Sequence, residues 1–160
     1  MKFSPSYTHK EPLDIVHFRF GIITASWNYD ITENLKKGAY EKFITRGVRE
    51  GNIFHWKVPG SFELVYAADK ICKTHSIDAL IVIGAVIKGE THHFEYISQA
   101  VSQGIKDINL RYDVPVIFCV LTDENKRQSL DRSGGKKGNK GVECADTAIE
   151  MALFRRSLFL

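Results

Sequence analysis

Residues 79–94 read Ala-Leu-Ile-Val-Ile-Gly-Ala-Val-Ile-Lys-Gly-Glu-Thr-His-His-Phe. The segment begins with an apolar run that has no polar alternation, which is typical of a strand buried on both faces of a parallel sheet. A turn with Gly89, Thr91 and two histidines follows, and then an amphipathic helix. Ligands of such sheets bind where strands end and helices begin, and the N–H groups that open a helix can hold an anion. Since a histidine beside them can transfer protons near neutral pH, we expect chemistry at this turn.

Three further strands and several helices are indicated on either side of this segment. The strand 53–58 alternates apolar and polar residues, as an outer strand does. The other predicted elements are strands at 18–25 and 116–121 and helices at about 32–47, 61–74, 97–108, 124–132 and from 142 onward. Strands that alternate with helices favour a parallel sheet with right-handed crossovers. The predicted fold class is therefore α/β, a three-layer sandwich with a four-stranded parallel sheet flanked by helices.

Length and composition predict one domain covering residues 1–160. Apolar residues make up 44% of the chain and charged residues 26%, which disfavours a disordered protein. No apolar run approaches the roughly 20 residues needed to span a bilayer, so we expect no membrane partner. The first twenty residues lack a continuous apolar segment, which favours a cytoplasmic protein. Residues 1–15 are expected to form an extended arm that pairs with the sheet edge of another subunit.

A basic, glycine-rich segment carries much of the net charge of +3. Its cations, opposed by Asp131 alone, are Lys126, Arg127, Arg132, Lys136, Lys137 and Lys140. The segment has no interleaved aromatic residues and no phosphate-loop motif, so we expect no nucleic-acid partner. One arginine of this segment remains suited to clamp a small phosphate, because its fork of donors matches a phosphate bidentately.

The cysteines and histidines do not predict a metal site. Cys72, Cys119 and Cys144 are odd in number and widely spaced, and they are expected to be three buried thiols. The adjacent His92 and His93 project about 100° apart at a helix start, so they cannot easily serve one purpose. One of the two is expected to be a bystander, and the other is either catalytic or an exposed structural residue.

Polar or aromatic residues recur at the carboxyl end of all four predicted strands, which points to a small-molecule site at that edge. Trp27 there is either a core or interface aromatic or a platform that stacks on a heteroaromatic ring. Glu63 in the first turn of a helix is explained either by the helix dipole alone or by hydrogen bonds from substrate hydroxyls. The residues alone leave both pairs of alternatives open.

Six motifs, in order along residues 18–155, resemble the 6,7-dimethyl-8-ribityllumazine synthase family. They are Ser26-Trp27-Asn28, the segment Pro59–Glu63, the segment Gly84–Phe94 apart from His92, the segment Val114–Phe118, the segment Leu121–Asn125 apart from Asp123, and the segment Arg132–Gly141. The resemblance implies the penultimate step of riboflavin biosynthesis. In it, 5-amino-6-(D-ribitylamino)uracil condenses with 3,4-dihydroxy-2-butanone 4-phosphate to give the lumazine, phosphate and water. It implies no cofactor and no metal.

The resemblance also implies roles for individual residues. His93 would be the general acid and base. The ribitylaminouracil would be bound by Trp27, Asn28, Ser61, Phe62, Glu63, Ala85, Val86, Ile87, Phe118 and Lys140. The phosphate of the second substrate would be bound by Glu90, Thr91 and Arg132. Trp27 stands where the family often has phenylalanine, a change that preserves a stacking surface.

Family members form pentamers, so the resemblance implies a homo-oligomer with active sites at subunit interfaces. Phe118, Arg132 and Lys140 would reach the site from a neighbouring subunit. The compact loop at 134–141 resembles that of members that build icosahedral shells, and riboflavin synthase is an expected partner. A rival interpretation is a non-catalytic flavin- or lumazine-binding protein on the same scaffold.

Overall fold

The computed structural model describes residues 15–159, so all but the last residue of the predicted extended arm lies outside the described residues. The main sheet consists of β1 (Phe20–Ala25), β2 (Ile53–Val58), β3 (Ala79–Ile87) and β4 (Val116–Asp123). The helices are α1 (Tyr29–Thr45), α2 (Glu63–Thr74), α3 (His93–Arg111), α4 (Lys126–Arg132) and α5 (Lys140–Ser157). A 3₁₀ turn (Glu50–Asn52) precedes β2, and the short strands β5 (Ser133–Gly135) and β6 (Gly138–Asn139) separate α4 from α5.

The four long strands pair in parallel in the order β2-β1-β3-β4. Helices α1 and α5 cover one face of the sheet and helices α2 and α3 cover the other, so the predicted three-layer α/β fold is confirmed. The central strand β3 is buried from Ala79 to Ala85, as its unbroken apolar sequence predicts. The alternating strand β2 lies at the sheet edge, which is also as predicted.

The two faces of the sheet have separate apolar cores, because neighbouring side chains of a strand point in opposite directions. In β1, Ile22 packs towards α1 and α5, while Ile23 packs towards α2 and α3. Strand β4 is apolar from Val116 to Leu121 yet forms the second outer strand of the sheet. Its Phe118 is 36% exposed.

Helix α1 begins three residues earlier than the sequence predicts. Thr32 has the side chain of a typical N-cap, but it lies inside the helix and is fully buried. Asn28 takes the N-cap position in the left-handed conformation, with φ 57° and ψ 46°, and its carbonyl oxygen accepts the N–H groups of Ile31 and Thr32. Asparagine tolerates this conformation better than most residues, which explains why the helix begins there.

Residues 133–139 of the basic, glycine-rich segment form a small hairpin instead of the predicted loop. Strands β5 and β6 pair antiparallel, and Gly134 (φ 120°) and Gly138 (φ 81°) supply the backbone conformations that its reversal requires.

The thiols also differ slightly from expectation. Cys119 and Cys144 are buried as predicted, whereas Cys72 is half-buried, and burial raises the pKa of the Cys72 thiol to about 11.

Helices α1 and α5 approach closely at the start of α5. Asn139 caps α5 by accepting the Gly141 N–H at 2.8 Å, and its amide donates to the Asn34 carbonyl of α1 at 2.9 Å. Gly141 faces the backbone of α1 so closely that a side chain there would overlap the Leu35 carbonyl. This contact fixes where α5 begins.

We expect Gly141→Ala to lower the free energy of unfolding by about 1–3 kcal/mol, because the added methyl group must displace the backbone of α1. Gly51→Ala is the matched control, since nothing lies within 4 Å of a Cβ built there. Urea unfolding at one fixed protein concentration measures both changes. Equal stability of the two variants would contradict the close approach.

Candidate functional site

The strand order places a topological switch point between β1 and β3, because the chain moves from β1 to β2 on one side and then to β3 on the other. Open α/β sheets bind ligands outside the carboxyl ends of the strands at such a point. Asn28 bridges it directly: its Nδ2 donates to the carbonyl oxygen of Ala85 at 2.9 Å. One hydrogen bond therefore joins the end of β1 to the end of β3.

Trp27 joins the end of β1 to the turn after β2. Its backbone N–H donates to the Pro59 carbonyl oxygen at 3.0 Å. Its indole lies against Gly60, where a Cβ would sit 2.7 Å from ring atoms Cε3 and Cζ3. The side chain is nevertheless 65% exposed. The indole is therefore held against backbone along one edge while most of its surface remains open to a ligand.

Glu63 holds the same turn through its side chain. Its Oε2 accepts the N–H of Gly60, three residues earlier, at 3.0 Å. Glu63 therefore has a structural role in holding this turn, in addition to its place in the first turn of the helix. The bond uses one of the two carboxylate oxygens, so the other can accept a hydrogen bond from a ligand.

Ser61 and Phe62 follow Gly60 on this turn in opposite environments. Ser61 is buried against β3, and a Cβ at Gly84 would lie 2.5 Å from its Oγ, so only glycine allows this approach. Phe62 is 54% exposed. Beyond Gly84, Ala85 is buried and Val86 and Ile87 are half-buried at the end of β3. The ends of β1, β2 and β3 thus form one continuous surface.

The turn before α3 lies beside this surface. Glu90, Thr91, His92 and His93 are all exposed. The hydroxyl oxygen of Thr91 accepts the His93 N–H in a long hydrogen bond of 3.4 Å. Lys88 lies just before this turn. Its N–H donates to the Asp123 carbonyl oxygen at 3.0 Å, and its side chain pairs with Glu124 at 3.2 Å. These two contacts attach the turn to the end of β4.

Three predicted site residues belong to other elements of the chain. Phe118 sits in mid-strand of β4, in register with Val82. Lys140 opens α5, where a 2.6 Å ion pair with Glu143 raises its pKa. Arg132 ends α4 with its Nε 3.6 Å from Asp123.

Asp123 is a residue of this region to which the sequence assigned no role. Its carboxylate also accepts a hydrogen bond from Ser129 Oγ at 2.8 Å, in a buried position. An acidic residue two positions after a predicted strand is the only signal that marks it in the sequence.

Within residues 15–159, no group of three or more His, Cys, Asp or Glu side chains is arranged to hold a metal ion. No helix in the same described part of the chain has the length and apolarity needed to cross a membrane.

An open parallel sheet with aromatic, amide, carboxylate and imidazole groups around its switch point defines an α/β protein with a candidate small-molecule site. The 6,7-dimethyl-8-ribityllumazine synthase family model matches residues 17–156. A synthase of that name from Flavobacterium johnsoniae is 56% identical over 139 residues, which cover 87% of this chain and 73% of the relative. The Christiangramia forsetii synthase is 53% identical over 87% of this chain and 83% of its own length. The Bacteroides fragilis synthase is 46% identical over 88% and 98%.

The chain therefore belongs to the 6,7-dimethyl-8-ribityllumazine synthase family. The resemblance inferred from the six motifs is confirmed. So is the expectation of an enzyme, a transferase of riboflavin biosynthesis, and the alternative of a non-catalytic binding protein is not favoured.

The Asn28 bridge makes a prediction about stability. Asn28→Gly removes the bond to Ala85 but tolerates the left-handed backbone, so we expect it to cost about 1 kcal/mol of unfolding free energy. Asn28→Ala also strains the backbone and should cost about 1 kcal/mol more. Urea unfolding of both variants at one protein concentration is the measurement. An alanine variant as stable as the glycine variant would contradict the proposed conformational constraint.

Proposed function

We propose that the carboxyl edge of the sheet is the active site where this chain condenses 5-amino-6-(D-ribitylamino)uracil with 3,4-dihydroxy-2-butanone 4-phosphate. The observation that carries this proposal is the Asn28–Ala85 hydrogen bond, together with the contact of the Trp27 indole with Gly60. These contacts bring the predicted pyrimidine-binding residues of three strands onto one surface. The products are 6,7-dimethyl-8-ribityllumazine, phosphate and water.

The flat pyrimidine stacks on the indole of Trp27, which is anchored at one edge and otherwise open. Its polar edge faces Asn28 and the backbone of Ala85, Val86 and Ile87. Asn28 is well suited to this position, because its hydrogen bond to Ala85 already restricts the side-chain conformation. Binding then costs less conformational entropy.

The ribityl chain extends along the turn that opens α2. Glu63 accepts hydrogen bonds from its hydroxyl groups through the carboxylate oxygen that the Gly60 N–H does not use. Ser61 contributes from its buried position against Gly84, and the exposed ring of Phe62 covers the chain. A polyol needs such a mixture of acceptors and apolar contacts.

The butanone phosphate lies at the start of α3, where Glu90 and Thr91 present the N–H groups and the positive end of the helix dipole. The 5-amino group of the pyrimidine attacks the ketone and forms an imine with loss of water. Phosphate elimination, ring closure and dehydration follow, and each of these steps moves protons. His93, at the first position of α3, acts as the general acid and base.

Two substrates held side by side account for much of the rate enhancement, since proximity supplies roughly 7–11 kcal/mol in favourable cases. We therefore expect His93→Ala to slow turnover by about 10²-fold, the low end of the usual contribution of a general acid or base, without abolishing it. Absorbance at the lumazine band and phosphate release measure turnover independently. His92→Ala is the matched control because it removes the adjacent exposed imidazole. An unchanged kcat in His93→Ala would remove His93 from the mechanism.

Phe118, Arg132 and Lys140 complete the site from a neighbouring subunit, with Phe118 covering the pyrimidine ring and Arg132 binding phosphate. Two features of the chain support this part of the proposal. Strand β4 is apolar from Val116 to Leu121 although it lies at the sheet edge, and Phe118 is partly exposed on it. An apolar outer strand usually needs a covering partner. Phe118 and Lys140 also lie apart from the Trp27 surface within one chain.

A shared site allows two impaired variants to rescue each other. Trp27→Ala damages one half of the site and Arg132→Ala the other, so a mixed oligomer should contain intact sites at roughly a quarter of its interfaces if subunits combine at random. Assayed at low butanone phosphate, the mixture should be more active than either variant alone. A mixture of Trp27→Ala with Asn28→Ala, which are changes in the same half, should regain none. Rescue in both mixtures, or in neither, would contradict a site shared between subunits.

The assembly is a pentamer, and pentamers of this chain join into an icosahedral shell, as its compact hairpin between α4 and α5 suggests. Riboflavin synthase, which consumes the lumazine, is the proposed protein partner, and the cytoplasm is the proposed location. Light scattering on the same preparations gives the particle size. Particles that stay at pentamer size across pH and salt would contradict the shell.

A further inference from the structure

We propose that Asp123 is a positioning residue that orients Arg132 for phosphate binding. Asp123 is the last residue of β4, and its side chain is 11% exposed. One carboxylate oxygen accepts a hydrogen bond from the Ser129 hydroxyl at 2.8 Å. The other lies 3.6 Å from Nε of Arg132. The carboxylate is thus fixed on one side and faces the guanidinium on the other.

Helix α4 brings the two partners of Asp123 together. Ser129 and Arg132 are three residues apart, so they lie on one face of the helix. Ser129 is fully buried, whereas the Arg132 side chain is 47% exposed. A buried hydroxyl, a nearly buried carboxylate and a half-exposed guanidinium therefore form a line that runs from the core to the surface.

The atom that Asp123 faces decides the consequence for binding. An arginine grips a phosphate bidentately with two parallel N–H groups. Asp123 is paired with Nε, and a contact at that nitrogen does not occupy the two terminal nitrogens, which an anion can then use. A free arginine on the surface would lose rotamer freedom on binding, and a prior contact at Nε reduces that loss.

Asp123 also contacts the turn before α3 through its backbone. Its carbonyl oxygen accepts the Lys88 N–H at 3.0 Å. In the proposed assembly the turn serves the site of its own subunit, while Arg132 serves the site of the neighbour. Asp123 is then common to the catalytic turn of one site and the phosphate contact of the next. A side-chain substitution leaves the backbone bond in place, so the two roles can be separated.

This inference rests on the proposed phosphate-binding role of Arg132, and the two can fail separately. Arg132→Ala tests the role itself, because it should raise the KM for the butanone phosphate and weaken inhibition by inorganic phosphate. Unchanged values would overturn that role and the inference with it. A raised KM in Arg132→Ala without any effect of changes at Asp123 would overturn the inference alone.

The decisive variant is Asp123→Asn, which keeps the shape of the side chain and removes its charge. We expect a rise of roughly three- to fivefold in the KM for the butanone phosphate and a similar rise in the inhibition constant of inorganic phosphate. The KM for the pyrimidine and kcat should stay close to wild type. Ser129→Ala removes the support of the carboxylate without touching Arg132, and it should produce a smaller change in the same direction.

Asp131→Asn is the matched control because it removes the same charge next to Arg132 in sequence, from a half-buried carboxylate on the same helix. If net charge alone decided phosphate binding, both asparagine variants would bind phosphate more tightly. Orientation predicts weaker binding for Asp123→Asn only. In an Arg132→Ala background, Asp123→Asn should have no further effect on either constant. Tighter binding in Asp123→Asn, or an effect that persists without Arg132, would overturn the inference.

Discussion

Burial of β3 on both faces is the constraint on which the rest of the structure depends. A strand without polar alternation requires a helix layer on each side, and the layers are α1 with α5 and α2 with α3. The other strands run parallel to β3, so the carboxyl ends of all four strands lie at one edge of the sheet. The order β2-β1-β3-β4 places the end of β3 beside that of β1, and this adjacency allows the Asn28–Ala85 bond.

Glycine determines how closely the parts of the site approach each other. Gly60 admits the indole of Trp27, and Gly84 admits Ser61. Away from the site, Gly141 likewise allows a close contact, in this case between α5 and α1. None of these three positions has the left-handed backbone that usually explains a glycine. Each glycine is required because the neighbouring atoms leave no room for a side chain.

Much of the fold could be predicted from the sequence, because apolar periodicity distinguishes the buried strand β3 from the alternating edge strand β2. The predicted start of α1 at Thr32 was wrong, because Asn28 adopts the left-handed backbone at the N-cap and bonds to Ala85, which is distant in sequence. The hairpin β5–β6 was also missed, because its short strands carry no alternating pattern. Motifs located the candidate site residues, but the contacts of Gly60 with Trp27 and of Asp123 with Arg132 join segments that are far apart or on different elements.

The two tryptophans of this chain occupy different surroundings. Trp56 is half-buried on β2, with its ring 5.1 Å from His75 and 6.2 Å from Phe54. Trp27 is mostly open to solvent at the switch point. Intrinsic fluorescence thus contains one component that a soluble quencher reaches readily and one that is sheltered. The accessible emission comes from the edge of the sheet, so the chain carries its own optical reporter of events there.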